Sequence, residues 1–254
     1  MVTSLSRRAF LKTAAISLAG AVGALAATPA QQASAEGDPG PLAWFKAPPG
    51  SNRIALTFDD GYVNVDALLD AARAVDVRLT LFPTGKAILS KPAVWKRAVD
   101  EGHEMGCHTF SHAALGSLGF DAVVSELEQW RWVAREQLGL RDVRFMRPPY
   151  GDGWNADTVR RAAAATGLQI AMWNRVNRMK QQSATPGPAE VVAGFVSDAR
   201  AGDIFLGHFL WQEVEALPEL VDHARTQGWQ CVTLSELLAV RPRAQARLTS
   251  ATRP

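Results

Sequence analysis

Residues 53–82 read RIALTFDDGYVNVDALLDAARAVDVRLTLF, and three segments of different periodicity lie within them. Residues 53–57 form a short apolar run rich in strand formers. Residues 65–74 place Val65, Leu68, Leu69 and Ala72 at helical spacing, and 78–82 return to strand composition. A strand, an amphipathic helix and a second strand make a βαβ unit, whose two strands run parallel. The alternation continues along the chain. The pattern predicts a helix over 93–101 stopped by Gly102, a short strand over 103–106, and a long amphipathic helix over 121–138 stopped by Gly139. Beyond these it predicts strand 143–146, helix 155–166, strand 168–173, helix 189–201, strand 203–207, helix 214–227 and strand 229–233. The fold class is therefore α/β with helical crossovers, as in a barrel or a doubly wound sheet. No Gly-x-Gly-x-x-Gly follows the first strand, so a dinucleotide fold has little support.

The polar residues gather where strands end. Strand one runs into Thr57-Phe58-Asp59-Asp60-Gly61, and the strand over 103–106 leads to His108-Thr109-Phe110-Ser111-His112. Strand 143–146 runs into Arg147-Pro148-Pro149-Tyr150-Gly151, and strand 203–207 into His208. In a parallel barrel those ends share one face, which is where active sites lie. Neighbouring strand residues point to opposite sides, so Asp59 and Asp60 converge only where Gly61 breaks the strand. A turn aspartate capping the next helix is the competing reading. His108 and His112, spaced i, i+4, face one side if they lie on a helical turn. Two histidines with a carboxylate form the open three-ligand set of catalytic zinc.

The 254 residues carry 27 Lys and Arg against 25 Asp and Glu, with two cysteines. Two thiols are too few for a disulfide scaffold or a four-thiolate zinc site, so a metal must lean on histidine and carboxylate. Cys107 is expected to be buried and inert, and a Cys107–Cys231 bridge is left open. His103 and His223 are expected to be structural or exposed. Residues 1–35 hold Arg7, Arg8 and Lys12 and no acid, and the remainder has 24 basic against 25 acidic residues. Nucleic acid is therefore not expected as a partner.

The paired arginines precede an uncharged stretch, 13–27, and the small-residue site Ala33-Ser34-Ala35. This pattern predicts a signal peptide over 1–35, resembling the twin-arginine type, with export after cleavage. Fifteen uncharged residues rise only about 22 Å as a helix, too short for a permanent membrane span. Residues 36–50 read as an extended Pro/Gly-rich linker, 51–240 as one catalytic domain, and 241–254 as a disordered basic tail.

The four strand-end motifs, in this order and spacing, resemble the NodB-homology polysaccharide deacetylases, carbohydrate esterase family four. The likeness runs from Arg53 to Leu238 and includes 80–85 and the closing segment 228–237. The resemblance implies a distorted (β/α) barrel of seven or eight strands. It implies one divalent metal ion, zinc above cobalt, nickel or manganese, held by Asp60, His108 and His112. Asp59 would be the general base, His208 the general acid, and Arg147 the cation that keeps Asp59 ionised. Tyr150 would offer its backbone N–H to the oxyanion, and Pro149, Leu206 and Trp173 would line the substrate side. Trp154 and Trp211 are further candidates for a sugar groove, or for core.

One family feature is absent. Where relatives carry an Asp beside a Trp, this chain reads Met172-Trp173-Asn174-Arg175. By the resemblance His208 would lack its carboxylate partner, with Glu213 or Glu215 as replacements. The leading expectation is a secreted N-deacetylase of an acetylated amino-sugar polymer, with peptidoglycan first. An O-acetyl esterase on xylan or another wall polymer, a catalytically weak sugar-binding relative, and a cyclic-amide hydrolase compete with it. Neither the sequence nor the resemblance specifies an oligomeric state.

Overall fold

The computed structural model describes residues 43–176 and 186–239. The expected signal segment, most of the linker and the basic tail lie outside them. Along the described chain run eight strands: β1 (Arg53–Asp60), β2 (Thr80–Pro83), β3 (Glu104–Met105), β4 (Phe145–Met146), β5 (Gln169–Ile170), β6 (Arg175–Val176), β7 (Ile204–His208) and β8 (Gln230–Cys231). The helices are α1 (Val65–Ala74), α2 (Gly85–Ser90), α3 (Pro92–Asp100), α4 (Phe120–Leu138), α5 (Asp157–Ala165), α6 (Pro188–Val196), α7 (Trp211–Thr226) and α8 (Leu234–Leu237).

β1 is central because it is apolar on both faces. Every residue from Ile54 to Asp59 is buried, the pattern of a parallel strand covered on two sides. β7 pairs with it along Ala55 to Asp59 and β2 along Thr57 to Asp60, and β8 joins at Arg53 and Ile54. The order β3-β2-β1-β7-β6 is parallel throughout, and β4 and β5 form a separate parallel pair. The two sheets meet through single bridges, Cys107 to Met146, Trp44 to Ala171 and Lys46 to Asp203, so the expected barrel is not closed as one ladder. Residues 44–47, read as linker, bridge to Ala171 and Asp203. Trp44 N–H donates to the Ile170 carbonyl at 2.9 Å, and the Trp44 carbonyl accepts from Met172 N–H at 2.7 Å.

The helices cover the sheet with the faces their apolar spacing dictates. α1 buries Val65, Leu68, Leu69 and Ala72. α4 buries Val123, Leu127, Trp130, Val133, Ala134 and Leu138 and ends at Gly139, whose φ of 72° suits glycine. Trp130 Nε1–H donates to the Pro83 carbonyl at 2.7 Å, which ties α4 to the end of β2. Truncating so large a buried side chain typically costs about 3–5 kcal/mol. Two short helices escape the sequence pattern, α2 and α8. Each starts at a threonine, Thr84 or Thr233, whose side chain accepts a backbone N–H.

Candidate active site

The site begins where β1 ends. Asp60 has φ 83° and Gly61 φ 80°, so the break expected at Gly61 starts one residue earlier. Asp60 has left strand geometry, and its carboxylate turns back to the side of Asp59. At Gly61 a Cβ would lie 2.2 Å from the Trp95 ring, so only glycine lets Trp95 pack beneath the turn.

His108 and His112 do converge, but not on a helical turn. The segment between them is a loop with left-handed residues at Thr109 (φ 61°) and His112 (φ 67°). Side-chain hydrogen bonds hold it in that path. Thr109 Oγ1 accepts from His112 N–H at 3.0 Å, while the Glu126 carboxylate takes Ser111 N–H at 2.8 Å and its hydroxyl at 2.7 Å. His108 Nδ1 lies 2.9 Å from the Arg147 carbonyl, an acceptor, so this nitrogen carries the proton and Nε2 presents a lone pair.

That lone pair has a destination. Asp60 Oδ1 is 2.9 Å from His112 Nε2 and 3.3 Å from His108 Nε2, yet this buried oxygen makes no hydrogen bond. The three donor atoms lie within 4.8 Å of one another. Two imidazole nitrogens and a carboxylate oxygen converging in this way form a donor set that fits a divalent ion of the zinc type. Burial pushes the Asp60 carboxyl up, but His108 and His112, helped by the charge of His208, pull it further down, so it is anionic.

Asp59 is held from behind. Arg147, fully buried, donates to Asp59 Oδ1 at 2.8 Å, to Thr57 Oγ1 at 2.8 Å, and to the Ala171 and Met172 carbonyls at 2.8 and 3.0 Å. Its guanidinium lies over the Phe82 ring at 4.3 Å. Burial pulls the Arg147 pKa down and Asp59 opposes it. Removing one member of such a buried pair typically costs about 3–5 kcal/mol, so the contact fixes Asp59 firmly. Its other oxygen, Oδ2, lies 3.9 Å from His108 Nε2.

His208 ends β7 in register with Asp59, so the two side chains emerge side by side. Tyr150 occupies a tight turn with φ 61° and ψ 3°, its side chain exposed and its ring 4.8 Å edge-on to His112. Pro149 and Leu206 are buried. Trp173 packs against Arg147, 5.6 Å from its guanidinium, and Trp154 against Phe45, so both support the fold. Trp211, 55% exposed three residues after His208, stays open to solvent. Tyr62, which the motif reading passed over, is also exposed and shares a 2.9 Å hydrogen bond with Thr84 Oγ1. Its position directly after Gly61 was the available signal.

The cysteines are both free. Burial raises the Cys107 thiol and pushes Cys231 up to about 11, so neither is a thiolate at neutral pH. His103 is structural: its Nδ1 accepts from Leu79 N–H at 3.0 Å, and burial lowers its pKa.

The expectation for Asn174 needs correction. Its amide donates to Asp203 Oδ1 at 2.6 Å and accepts from Ile204 N–H at 2.9 Å, at the opposite end of β7 from His208. Four residues of strand rise about 13 Å, so a charge at 174 would not face the His208 ring. Of the two proposed replacements, Glu215 is exposed, whereas Glu213 is 3% exposed and accepts the backbone N–H of His208.

Parallel strands whose carboxyl ends collect a metal-type donor set, an arginine-held carboxylate and a histidine define the site of a hydrolase. Residues 46–171 match the polysaccharide deacetylase family, and the chain belongs to it. Members of this family hydrolyse N-acetyl amide bonds of carbohydrates. The chain is 28% identical over 207 residues to a peptidoglycan-N-acetylglucosamine deacetylase of Bacillus cereus, covering 76% of this chain and 92% of that protein. It is 30% identical over 191 residues to the deacetylase PgdA of Listeria monocytogenes, covering 74% of this chain but 39% of that longer protein. Among solved structures, the Bc1960 peptidoglycan N-acetylglucosamine deacetylase superposes with a TM-score of 0.73 at 24% identity, over 80% of this chain and 95% of that one, a likeness of fold.

Proposed function

We propose that this protein is an exported, metal-dependent N-deacetylase of an acetylated amino-sugar polymer, with peptidoglycan as the first substrate. The observation that carries the reading is the convergence of Asp60, His108 and His112 around a buried oxygen that makes no hydrogen bond, beside Asp59 on its arginine. A divalent cation bound by these three residues would supply a Lewis acid for the acetyl carbonyl and acidify a water.

The chain's own groups then divide the work. Asp59, oriented by Arg147, takes a proton from the attacking water as the water oxygen bonds to the acetyl carbon. The Tyr150 backbone N–H faces the oxygen on which charge develops. His208, in its protonated form, gives its proton to the sugar nitrogen as the carbon–nitrogen bond breaks, because an amine leaves poorly as an anion. Acetate and a free amine result, and the water has supplied the hydroxyl on one and, by way of the two residues, the proton on the other.

Among the described residues no helix is long and apolar enough to cross a membrane, and export rests on the segment 1–35. Replacing Arg7 and Arg8 by lysine preserves charge but should stop a twin-arginine route. The substrate test is acetate release from peptidoglycan, chitooligosaccharides and acetylxylan, before and after chelation and zinc restoration. Release from the first two alone supports the proposal; release from acetylxylan alone makes the protein an ester hydrolase, and release from none makes it a sugar-binding relative.

A further inference from the structure

We infer that Glu213 is the residue that positions His208, acting through its backbone N–H rather than through its ring. The inference rests on the deacetylase reading, in which His208 is the acid. Three observations carry it. His208, the last residue of β7, gives its N–H to Glu213 Oε2. Glu213 lies in the first turn of α7, where a carboxylate is favoured by the helix dipole, and is 3% exposed. Gly207 makes the approach possible: a Cβ there would come within 3.1 Å of Glu213 Oε2 and 2.9 Å of the Phe58 ring.

A buried carboxylate bonded to the terminal N–H of a strand fixes where that strand stops. It thereby sets the direction in which His208 leaves the sheet beside Asp59. The ring is thus aimed by its main chain.

The test uses the metal-loaded full chain. Glu213→Met removes the acceptor at similar volume, and Glu213→Gln retains an oxygen that can accept the N–H. For Glu213→Met, kcat for acetate release should fall about 10- to 100-fold with KM little changed, the factor that matches loss of a hydrogen bond to a charged acceptor. Glu213→Gln should recover most of it. In a His208→Ala background the Met substitution should change kcat less than about twofold, since interacting residues are not additive. The His208 Cε1–H signal in a ¹H–¹³C NMR spectrum should move in Glu213→Met and return in Glu213→Gln. Should Glu213→Met fail to fold, Glu213→Asp, which withdraws the carboxylate by one methylene, is read in the same way. An unchanged kcat, an equal loss in both backgrounds, or an unmoved His208 signal overturns the inference. Should wild type release no acetate from any substrate, the deacetylase reading fails, while the NMR comparison still decides the positioning claim.

Discussion

Both ends of the central sheet bury polar side chains, and they differ in how completely those groups are satisfied. At the amino end, Asp203 accepts from Asn174 at 2.6 Å, from Arg175 at 2.6 Å and from Arg200 N–H at 2.9 Å. Nearby, Glu104 accepts from the Thr80 hydroxyl at 3.1 Å and from the N–H and hydroxyl of Ser235. At the carboxyl end, Asp60 Oδ1 is buried without a hydrogen bond, and two imidazole nitrogens press toward it. Among the described residues the other buried side-chain atom without a hydrogen bond is Glu101 Oε2, which has one nitrogen near it, His103 Nε2 at 3.9 Å, and no convergent donor set. Polar burial alone therefore marks no site. A set of ligand atoms that converge and remain unsatisfied does, because the fold has left their pairing to something else.

The strongest way to break this contrast is to empty the carboxyl-end cluster. His108→Ala with His112→Ala should abolish both metal retention and acetate release. Elemental analysis showing full metal in that variant would place the ion elsewhere. Next in size, Asp59→Asn should keep the metal but lower kcat about 10²- to 10⁴-fold, the usual cost of losing a general base. Near wild-type turnover would assign the base to another residue.

The amino end should respond in the opposite sense. Asn174→Asp sets a second carboxylate against Asp203 and removes the amide donor, so it should destabilise the fold by about 1–3 kcal/mol in urea unfolding. The pH dependence of kcat/KM should not move, because position 174 lies a strand's length from His208. A displaced basic limb would show that the two ends are coupled. The smallest effect expected is that of His103, whose pKa is lowered by burial. Its neutral form accepts the Leu79 N–H, so its contribution to stability is complete above about pH 6.5, the unfolded value, and is lost as pH falls from there through the lower folded value. His103→Asn, which retains an acceptor but does not titrate, should flatten that part of the stability profile.

How much of this was legible in the sequence follows the same division. The strand ends announced themselves: Asp59, Asp60, His108, His112, Arg147 and His208 stand where apolar runs stop, and the structure brings them together. The path by which two of them meet was not legible. The i, i+4 spacing of His108 and His112 suggested a helix, but left-handed backbone at Thr109 and His112 does the work, and neither residue type by itself dictates that conformation. β6, of two residues, carries too little pattern to register, and it was the family resemblance that set Asn174 beside His208, at the wrong end of β7. Glu213 did leave a signal. It shares the buried stripe of α7 with Leu217, Leu220 and Ala224, and an acid at a core position calls for a partner.

The account stands most directly on the cation between Asp60, His108 and His112. An anomalous difference map at the zinc edge, from crystals of the purified protein, should show one peak at about 2.0–2.2 Å from His108 Nε2, His112 Nε2 and an Asp60 carboxylate oxygen. A peak on other residues, or no peak there after soaking with zinc, would contradict it.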